Sequence, residues 1–238
     1  MQEIGYDYNE ESRIQSVYAK RDAENKDILY SWKSADAIYI DYRKRVTWSL
    51  AFLKAGLNDL VDLEILDVGC GSGGWLRMLL EWGATPKRLH GIDLLEDRIS
   101  RAKALSQINL DFRLGNSCQL PWPDCSIDLC GASTVFSSVI DGRVRSAIAS
   151  ECSRVLKPGG WMMVFDFAIS DPRNPDTVGV GRKAIIKLFP KLRIFNVLRL
   201  IFCPPILRVI PHQLFFLAHF LEIIFPLICT HRLYLLRK

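Results

Sequence analysis

The sequence predicts a doubly wound α/β fold with a mostly parallel sheet. Between residues 63 and 167, short apolar runs alternate with stretches of helical periodicity, which is the order of βαβ units. The first of these runs leads directly into a glycine-rich turn, as in folds that bind nucleotides. The chain has 238 residues, 49% of them hydrophobic, so it can bury one sizeable core.

A helical region precedes the alternating part of the chain. Apolar residues recur at helical spacing around Ile14 and again around Phe52. We therefore divide the chain into a helical N-terminal extension at 1–60, a core at 61–170 and a C-terminal region at 171–238 that completes the sheet.

Five apolar runs in the core predict strands. They lie at 64–68, 88–93, 110–114, 127–132 and 161–167. Asp141 is a suitable N-cap for the helix that follows the fourth run, and we expect the Lys-Pro-Gly-Gly segment at 157–160 to end that helix.

The C-terminal region has a weaker pattern. We predict a short helix near 182–189, a strand near 192–202, an apolar helix near 212–225 and a final strand near 231–237. The apolar stretch at 213–229 is short for a membrane span and is interrupted by His219, Glu222 and Pro226, so we do not assign a transmembrane helix.

Charge is distributed unevenly along the chain. Residues 181–238 contain ten Lys or Arg and one acidic residue, Glu222, a net charge of +9; the total of +5 leaves −4 for residues 1–180. The basic tail suggests contact with a phosphate-bearing substrate, a membrane surface or a nucleic acid, and a solvated basic face is an equally open interpretation. No RNA-binding module is recognisable, so we expect no nucleic-acid partner.

The cysteines and the N-terminus indicate a compartment. Seven cysteines form no CxxC pair and are odd in number, which favours the reducing cytoplasm over a disulfide framework. Because the first residues lack the basic and apolar segments of a signal peptide, we expect a cytoplasmic protein.

The glycine-rich turn is the strongest candidate for a binding site. Residues 65–75 read Ile-Leu-Asp-Val-Gly-Cys-Gly-Ser-Gly-Gly-Trp. The spacing of Gly69, Gly71 and Gly74, with Asp93 further on, also fits an NAD-binding fingerprint. Asp67 favours a different ligand, because a carboxylate before the first glycine repels a pyrophosphate but attracts an ammonium or a sulfonium.

With these residues the chain resembles class I S-adenosylmethionine-dependent methyltransferases. The resemblance covers about residues 63–167, through Leu-Asp-Val-Gly-Cys-Gly-Ser-Gly from 66, Gly-Ile-Asp-Leu from 91, Leu-Pro-Trp-Pro-Asp-Cys-Ser-Ile-Asp-Leu from 120 and Arg-Val-Leu-Lys-Pro-Gly-Gly from 154. It implies the Rossmann-like methyltransferase fold, with a seven-stranded sheet whose last strand is antiparallel. It also implies that the N-terminal extension covers the cofactor site and that the C-terminal region lies on the acceptor side.

A finer likeness is to methyltransferases found with bacterial polysaccharide and O-antigen biosynthesis. Its signals are Gly-Gly-Trp from 73, Ser-Thr-Val-Phe-Ser-Ser from 133, Asp-Pro-Arg-Asn-Pro-Asp from 171 and Thr-His-Arg-Leu-Tyr from 230. It implies a saccharide or lipid-linked saccharide acceptor. RNA or protein methylation, or a binding protein without catalysis on the same fold, remain open.

The resemblance implies a set of contacts to S-adenosylmethionine. Asp67 would hold the amino group, and Asp93 the ribose hydroxyls. The remaining contacts would come from the loop residues Gly69, Cys70, Gly71 and Gly73, from Leu94, Asn116 and Ser117 at the adenine, and from Ser133 beside the methionine.

The implied reaction is a direct displacement at the sulfonium methyl, which needs no metal. Asp166 and His231 are candidate bases near the edge of the sheet, and Arg173 and Asn174 are candidate acceptor-binding residues. The basic, apolar tail leads us to expect peripheral contact with the inner face of the membrane. The sequence leaves the oligomeric state open.

Overall fold

The computed structural model describes residues 8–24, 33–172, 174–202, 207, 210–226 and 229–238. Its strands are β1 (Ile65–Val68), β2 (Leu89–Asp93), β3 (Asp111–Leu114), β4 (Ile127–Ser133), β5 (Leu156–Phe167), β6 (Arg193–Phe202) and β7 (Cys229–Arg237). Its α-helices are α1 (Tyr8–Ala23), α2 (Ala35–Ala55), α3 (Gly74–Glu81), α4 (Glu96–Leu105), α5 (Val135–Ser138), α6 (Gly142–Val155), α7 (Arg182–Leu188) and α8 (Phe215–Ile224).

The strands form a single seven-stranded sheet in the order β3-β2-β1-β4-β5-β7-β6. β1 pairs in parallel with both β2 and β4, whereas β7 is antiparallel to β5 and to β6. The predicted fold class is confirmed, including the antiparallel last strand. Strand order reverses between β1 and β4, and a crevice opens at such a switch point, outside the carboxyl ends of the strands.

Both faces of the sheet are covered, which explains why its central strands are apolar without alternation. All four residues of β1 are buried, as expected for parallel strands between two helical layers. Leu76, Leu79 and Phe52 pack on one face with α2, α3 and α4; Ile148 and Ile185 pack on the other with α6 and α7.

The helix of the fourth βα unit begins and ends where the sequence predicts, but the strand after it starts early. The side chain of Asp141 accepts a hydrogen bond from the Arg143 amide and caps α6. The helix ends at Val155, just before the Lys-Pro-Gly-Gly segment, as predicted; the strand that follows starts at Leu156 and includes 157–160, whereas the sequence predicted a start at 161. β5 starts early because Ile127 of β4 pairs with Leu156, ahead of an irregular step in the register.

The C-terminal elements agree with the predicted order of helix, strand, helix and strand. Within the described ranges, no helix is both long enough and apolar enough to cross a bilayer.

Candidate functional site

A cavity of about 620 Å³ opens at the switch point between β1 and β4. It brings together nine of the residues predicted to contact the cofactor: Asp67, Gly69, Cys70, Gly71, Asp93, Leu94, Asn116, Ser117 and Ser133. Gly73 is not part of the lining, although its neighbour Gly74 is. The cavity is large enough for a small-molecule ligand.

Hydrogen bonds connect the glycine-rich turn after β1 to the end of β2. The Gly69 and Cys70 amides donate to the Ile92 carbonyl at 2.8 and 3.0 Å. The next amide, of Gly71, donates to Asp93 Oδ2 at 2.8 Å. These contacts hold the loop backbone open toward the cavity, where a ligand can approach it closely.

Asp93 organises two chain segments at once. Its second oxygen, Oδ1, accepts from the Leu95 amide at 3.0 Å, so the carboxylate spans the glycine loop and the start of the next turn. Burial raises the pKa of Asp93, against the lowering effect of both backbone donors. Each oxygen keeps a lone pair that a ribose hydroxyl could use.

Asp67 is a buried carboxylate that faces the cavity. It is 3% exposed, and burial together with the neighbouring charge of Asp93 raises its pKa well above the usual range, against the opposite influence of Lys44. Two carboxylates in one low-dielectric cavity repel each other and favour a cation. The donor set therefore fits S-adenosylmethionine, whose ammonium and sulfonium are both positive.

The cavity residues predicted to lie at the adenine and beside the methionine follow β3 and end β4, respectively. Asn116 Oδ1 accepts from the Cys118 amide at 2.9 Å, and its Nδ2 donates to Glu11 at 3.4 Å. After Ser133, Thr134 has a left-handed backbone with φ of 58°, which a non-glycine residue adopts at a cost. Thr134 lines the cavity too.

Residues of the N-terminal helices complete the lining, and the sequence did not single them out. Glu10, Glu11, Ile14 and Tyr18 come from α1, and Lys44 comes from α2. Sequence periodicity predicted helices here, but it carries no signal for which helical residues meet a distant loop.

An ion pair within α1 makes hydrogen bonds to the backbone at the end of α5 and just after it. Glu10 accepts from Arg13 at 2.9 Å and from the Ile140 amide at 2.7 Å, while Arg13 donates to the Ser138 carbonyl at 2.6 Å. Burial alone would raise the pKa of Glu10, but the hydrogen bonds from Arg13 and Ile140 outweigh it and lower the pKa.

Asp166 and His231 do not line the cavity, which argues against the predicted catalytic role. Asp166 is fully buried and accepts from the Ser137 and Phe167 amides at 3.0 and 2.9 Å, a structural arrangement; burial raises its pKa to about 7. The His231 ring stacks on Phe165 with a centroid distance of 5.3 Å, and burial lowers its pKa to about 3. Alternate strand residues face opposite sides of the sheet, so Asp166 and Phe165 belong to different layers.

The predicted acceptor-binding residues are only partly observed. Arg173 lies outside the described residues. Asn174 does not line the cavity, and its Oδ1 accepts from the Asp176 amide at 3.2 Å within its own loop. Its role in acceptor binding stays a prediction.

Cys70 is a small, buried residue of the glycine-rich turn. Its pKa is raised by burial, so the thiol is not activated. A Cβ added to Gly91 would lie 2.9 Å from Cys70 Sγ, which shows how closely the turn packs on β2.

Comparison with known proteins agrees with the geometry. The family described as "Methyltransferase domain" matches residues 65–160, from β1 into β5. The chain is 29% identical over 154 residues to a demethylmenaquinone methyltransferase of Lactococcus lactis, a match over 63% of this chain and 56% of that protein. It is 32% identical over 121 residues to a sterol 24-C-methyltransferase of Gibberella zeae, over 48% of this chain and 30% of that protein.

These matches span about half or less of the relatives' own lengths. Among solved structures, a putative sarcosine dimethylglycine methyltransferase from Galdieria sulphuraria has a similar fold, with a TM-score of 0.60 at 18% identity over 83% of this chain and 86% of that one. The fold, the cavity and the matches therefore agree that residues 65–160 are an S-adenosylmethionine-dependent methyltransferase domain.

Proposed function

We propose that the whole protein transfers a methyl group from S-adenosylmethionine to a lipid-linked saccharide at a membrane surface. The observation that carries the methyl transfer is the convergence of Asp67, the glycine loop and Asp93 on one cavity at the switch point of the sheet. Buried carboxylates beside an open backbone loop suit a cationic nucleoside better than a pyrophosphate.

The chain's own part in this reaction is to position the donor and exclude water. S-adenosylmethionine supplies an already activated methyl group. The protein then contributes proximity and a dry pocket, which α1 helps to close through Glu10 and Arg13. The proposal needs neither Asp166 nor His231 as a base.

Cofactor binding can be tested by thermal shift and calorimetry. S-adenosylhomocysteine should raise the melting temperature, because a ligand that binds only the folded state stabilises it, whereas NADH should not. Asp93→Ala should weaken S-adenosylhomocysteine binding about 10- to 100-fold, since the ribose loses a charged acceptor and the loop loses its clamp. The exposed neighbour Asp97 provides the control Asp97→Ala.

A shift with NADH and none with S-adenosylhomocysteine would overturn the cofactor assignment. If Asp93→Ala and Asp97→Ala bind S-adenosylhomocysteine with equal affinity, Asp93 does not contact the cofactor.

The membrane part of the proposal rests on α8. Its large side chains project into solvent: Phe216, Phe220 and Ile223 are 64%, 57% and 65% exposed. Exposed apolar patches of this kind mark interaction surfaces. A surface helix with such an apolar outer face suits the boundary between lipid headgroups and acyl chains.

β6 ends at the edge of the sheet where the cavity opens, and the chain continues from there to α8. β5 and β6 are both antiparallel to β7, so they run in the same direction, and β6 ends where Phe202 pairs with Cys229. A lipid held at α8 would therefore lie on the side of the sheet where the cavity opens. The net charge of +9 over residues 181–238 suits an anionic bilayer; Arg208, part of that charge, lies outside the described residues.

Two kinds of resemblance support a lipid-borne acceptor. The likeness to polysaccharide methyltransferases supports the saccharide, and two relatives are named for demethylmenaquinone and for sterols, which are membrane lipids. Incubation of the protein with methyl-labelled donor and a bacterial membrane extract should label the lipid-linked saccharide fraction. Label in the quinone fraction instead would replace the saccharide by a quinone.

Membrane contact can be tested by sedimentation with vesicles containing phosphatidylglycerol. Binding should weaken as salt rises, because salt screens the attraction of basic residues to anionic lipid. Phe216→Ser/Phe220→Ser should reduce it at least tenfold, whereas Leu105→Ser, at an exposed position on α4, should not. No sedimentation of the wild type at low salt would overturn the membrane part alone.

A further inference from the structure

Lys44 is the lysine of the described chain that lines the cavity, and no motif predicted it. It lies in the middle of α2, on the face of the sheet that also carries α3. Its side chain is half-buried at the cavity, and desolvation lowers its pKa against the opposite influence of Asp41 and Asp67.

An aromatic ring lies beside the Lys44 ammonium. Nζ lies 4.9 Å from the centroid of the Phe165 ring. His231, on the strand beside Phe165, has a pKa lowered by burial and by the charge of Lys44, so it faces this cation as a neutral ring. Among the described residues, none forms an ion pair or hydrogen bond with the ammonium. A half-buried cation that lines a cavity without an anionic partner is poorly compensated for its lost hydration, which points to an anion supplied by a ligand.

Asp67 has the opposite charge in the same cavity. It interacts electrostatically with Lys44, yet the two side chains form no ion pair. The cavity thus presents a carboxylate and an ammonium that are close but separate. An α-amino acid carries an ammonium and a carboxylate on one carbon, which is the complementary arrangement.

We infer that Lys44 binds the carboxylate at the methionine end of the donor, while Asp67 takes the ammonium. This inference rests on the proposed function and assigns a binding residue outside the methyltransferase match at 65–160. An anionic acceptor is the competing ligand for Lys44. The donor is favoured because the charge of Lys44 lowers the pKa of Asp67, against the larger raising effect of burial. Asp67 lines the donor's end of the cavity, next to the glycine loop.

The test compares two ligands that differ by one group. S-adenosylhomocysteine has the carboxylate, and its decarboxylated analogue keeps the amine and the nucleoside. Lys44→Met should weaken S-adenosylhomocysteine binding by calorimetry about 10- to 100-fold, the loss of a charge-assisted hydrogen bond, and should change binding of the analogue less than twofold. Lys54→Met, exposed on the same helix, is the matched control and should change neither.

A second variant guards against a folding defect. Lys44→Arg keeps the charge and should restore the preference for the carboxylate ligand. Equal losses for both ligands in Lys44→Met, or no loss for either, would overturn the assignment while leaving the cofactor site intact. Unchanged ligand binding with a raised acceptor KM would assign Lys44 to an anionic acceptor instead. If neither ligand binds the wild type, the proposed function fails first.

Discussion

The three glycines of the loop after β1 all have left-handed backbones, but they are glycine for different reasons. A Cβ at Gly69 would come within 2.5 Å of Val135, and one at Gly73 within 2.6 Å of Phe112. A Cβ at Gly71 would meet no protein atom within 4 Å, although Gly71 lines the cavity. Packing therefore adds to the backbone requirement at Gly69 and Gly73, whereas at Gly71 the left-handed backbone is joined by open space at the cavity, which a ligand can use.

A pair of valine substitutions can separate backbone strain from ligand exclusion. Gly56 caps α2 with φ of 72°, and a Cβ there also meets nothing within 4 Å. Gly71→Val and Gly56→Val should each cost about 1–2 kcal/mol of folding free energy from the left-handed backbone. Only Gly71→Val should abolish S-adenosylhomocysteine binding, by calorimetry on protein shown by circular dichroism to be folded. Full affinity in Gly71→Val would mean that the loop does not contact the ligand.

At this scale, the sequence was informative where a motif is contiguous. The turn from Gly69 to Gly71 and the acid Asp93 at the end of β2 could be located because strand ends of a parallel sheet meet at one edge. Lys44 and Glu10 could not, because their positions depend on how two N-terminal helices pack against loops far along the chain. The case for His231 as a base was overestimated, because a sequence shows that a histidine is present but does not show that its ring is buried between aromatic rings.

The attachment of α8 to α2 depends on a buried ion pair. Arg43 donates to Glu222 Oε2 through Nη2 at 2.7 Å and through Nε at 3.0 Å, and the two side chains are 12% and 3% exposed. The Tyr39 and Phe215 rings are in contact beside it, with centroids 4.9 Å apart. This contact explains why an acidic residue, Glu222, lies on an otherwise apolar helix.

Removal of one partner should cost more than removal of both. Arg43→Met should destabilise the protein by about 3–5 kcal/mol, because it removes the bidentate cationic partner of the buried Glu222 carboxylate, and Arg43→Met/Glu222→Leu should recover most of that loss. Hydrogen exchange at residues 215–224 should rise in the single variant. Arg45→Met, whose ion pair with Asp41 is largely exposed, is the control and should cost under about 1 kcal/mol. A similar cost for Arg43→Met and Arg45→Met would contradict this interpretation.

Elements were predictable where periodicity persisted, as in α6 and the central strands. The early start of β5 was not, since Pro158 and Gly159 resemble a helix stop and only pairing with β4 brings the neighbouring Leu156 into the sheet. The exposure of one face of α8 could not be predicted from the sequence, for a similar reason. A sequence rich in Leu, Ile and Phe predicts burial, and it does not report that the helix lies at the periphery with one face uncovered.

For the whole molecule, two buried groups on adjacent strands make stability depend on pH with opposite signs. The pKa of Asp166 is raised to about 7, so the native state holds a proton that the unfolded chain loses above about pH 4; the free energy of unfolding therefore falls as pH rises from about 4 to 7. The pKa of His231 is lowered to about 3, so below about pH 6.5 the unfolded chain binds a proton at this histidine that the native state does not bind. For this group the free energy of unfolding therefore falls as the pH drops.

Single variants should show how each group contributes to the pH dependence of the free energy of unfolding. Between pH 4.5 and 6.5, Asp166→Asn should make the free energy of unfolding rise more steeply with pH than in the wild type, by up to about 1.4 kcal/mol per pH unit. His231→Phe, which keeps the aromatic stack, should change the slope in the opposite sense. Urea titrations at three pH values measure both. Wild-type slopes in both variants would show that neither group is titrated as its burial indicates.

The raised pKa of Asp67 gives donor binding a proton stoichiometry. When the pH lies near the pKa of Asp67, part of the free protein carries a proton on that carboxyl. Arrival of a cationic ligand stabilises the ionised form, so the proton is expelled into the buffer. The heat of binding measured for S-adenosylmethionine should then differ between phosphate and Tris by the difference in their ionisation enthalpies, and the slope of that dependence counts the protons released.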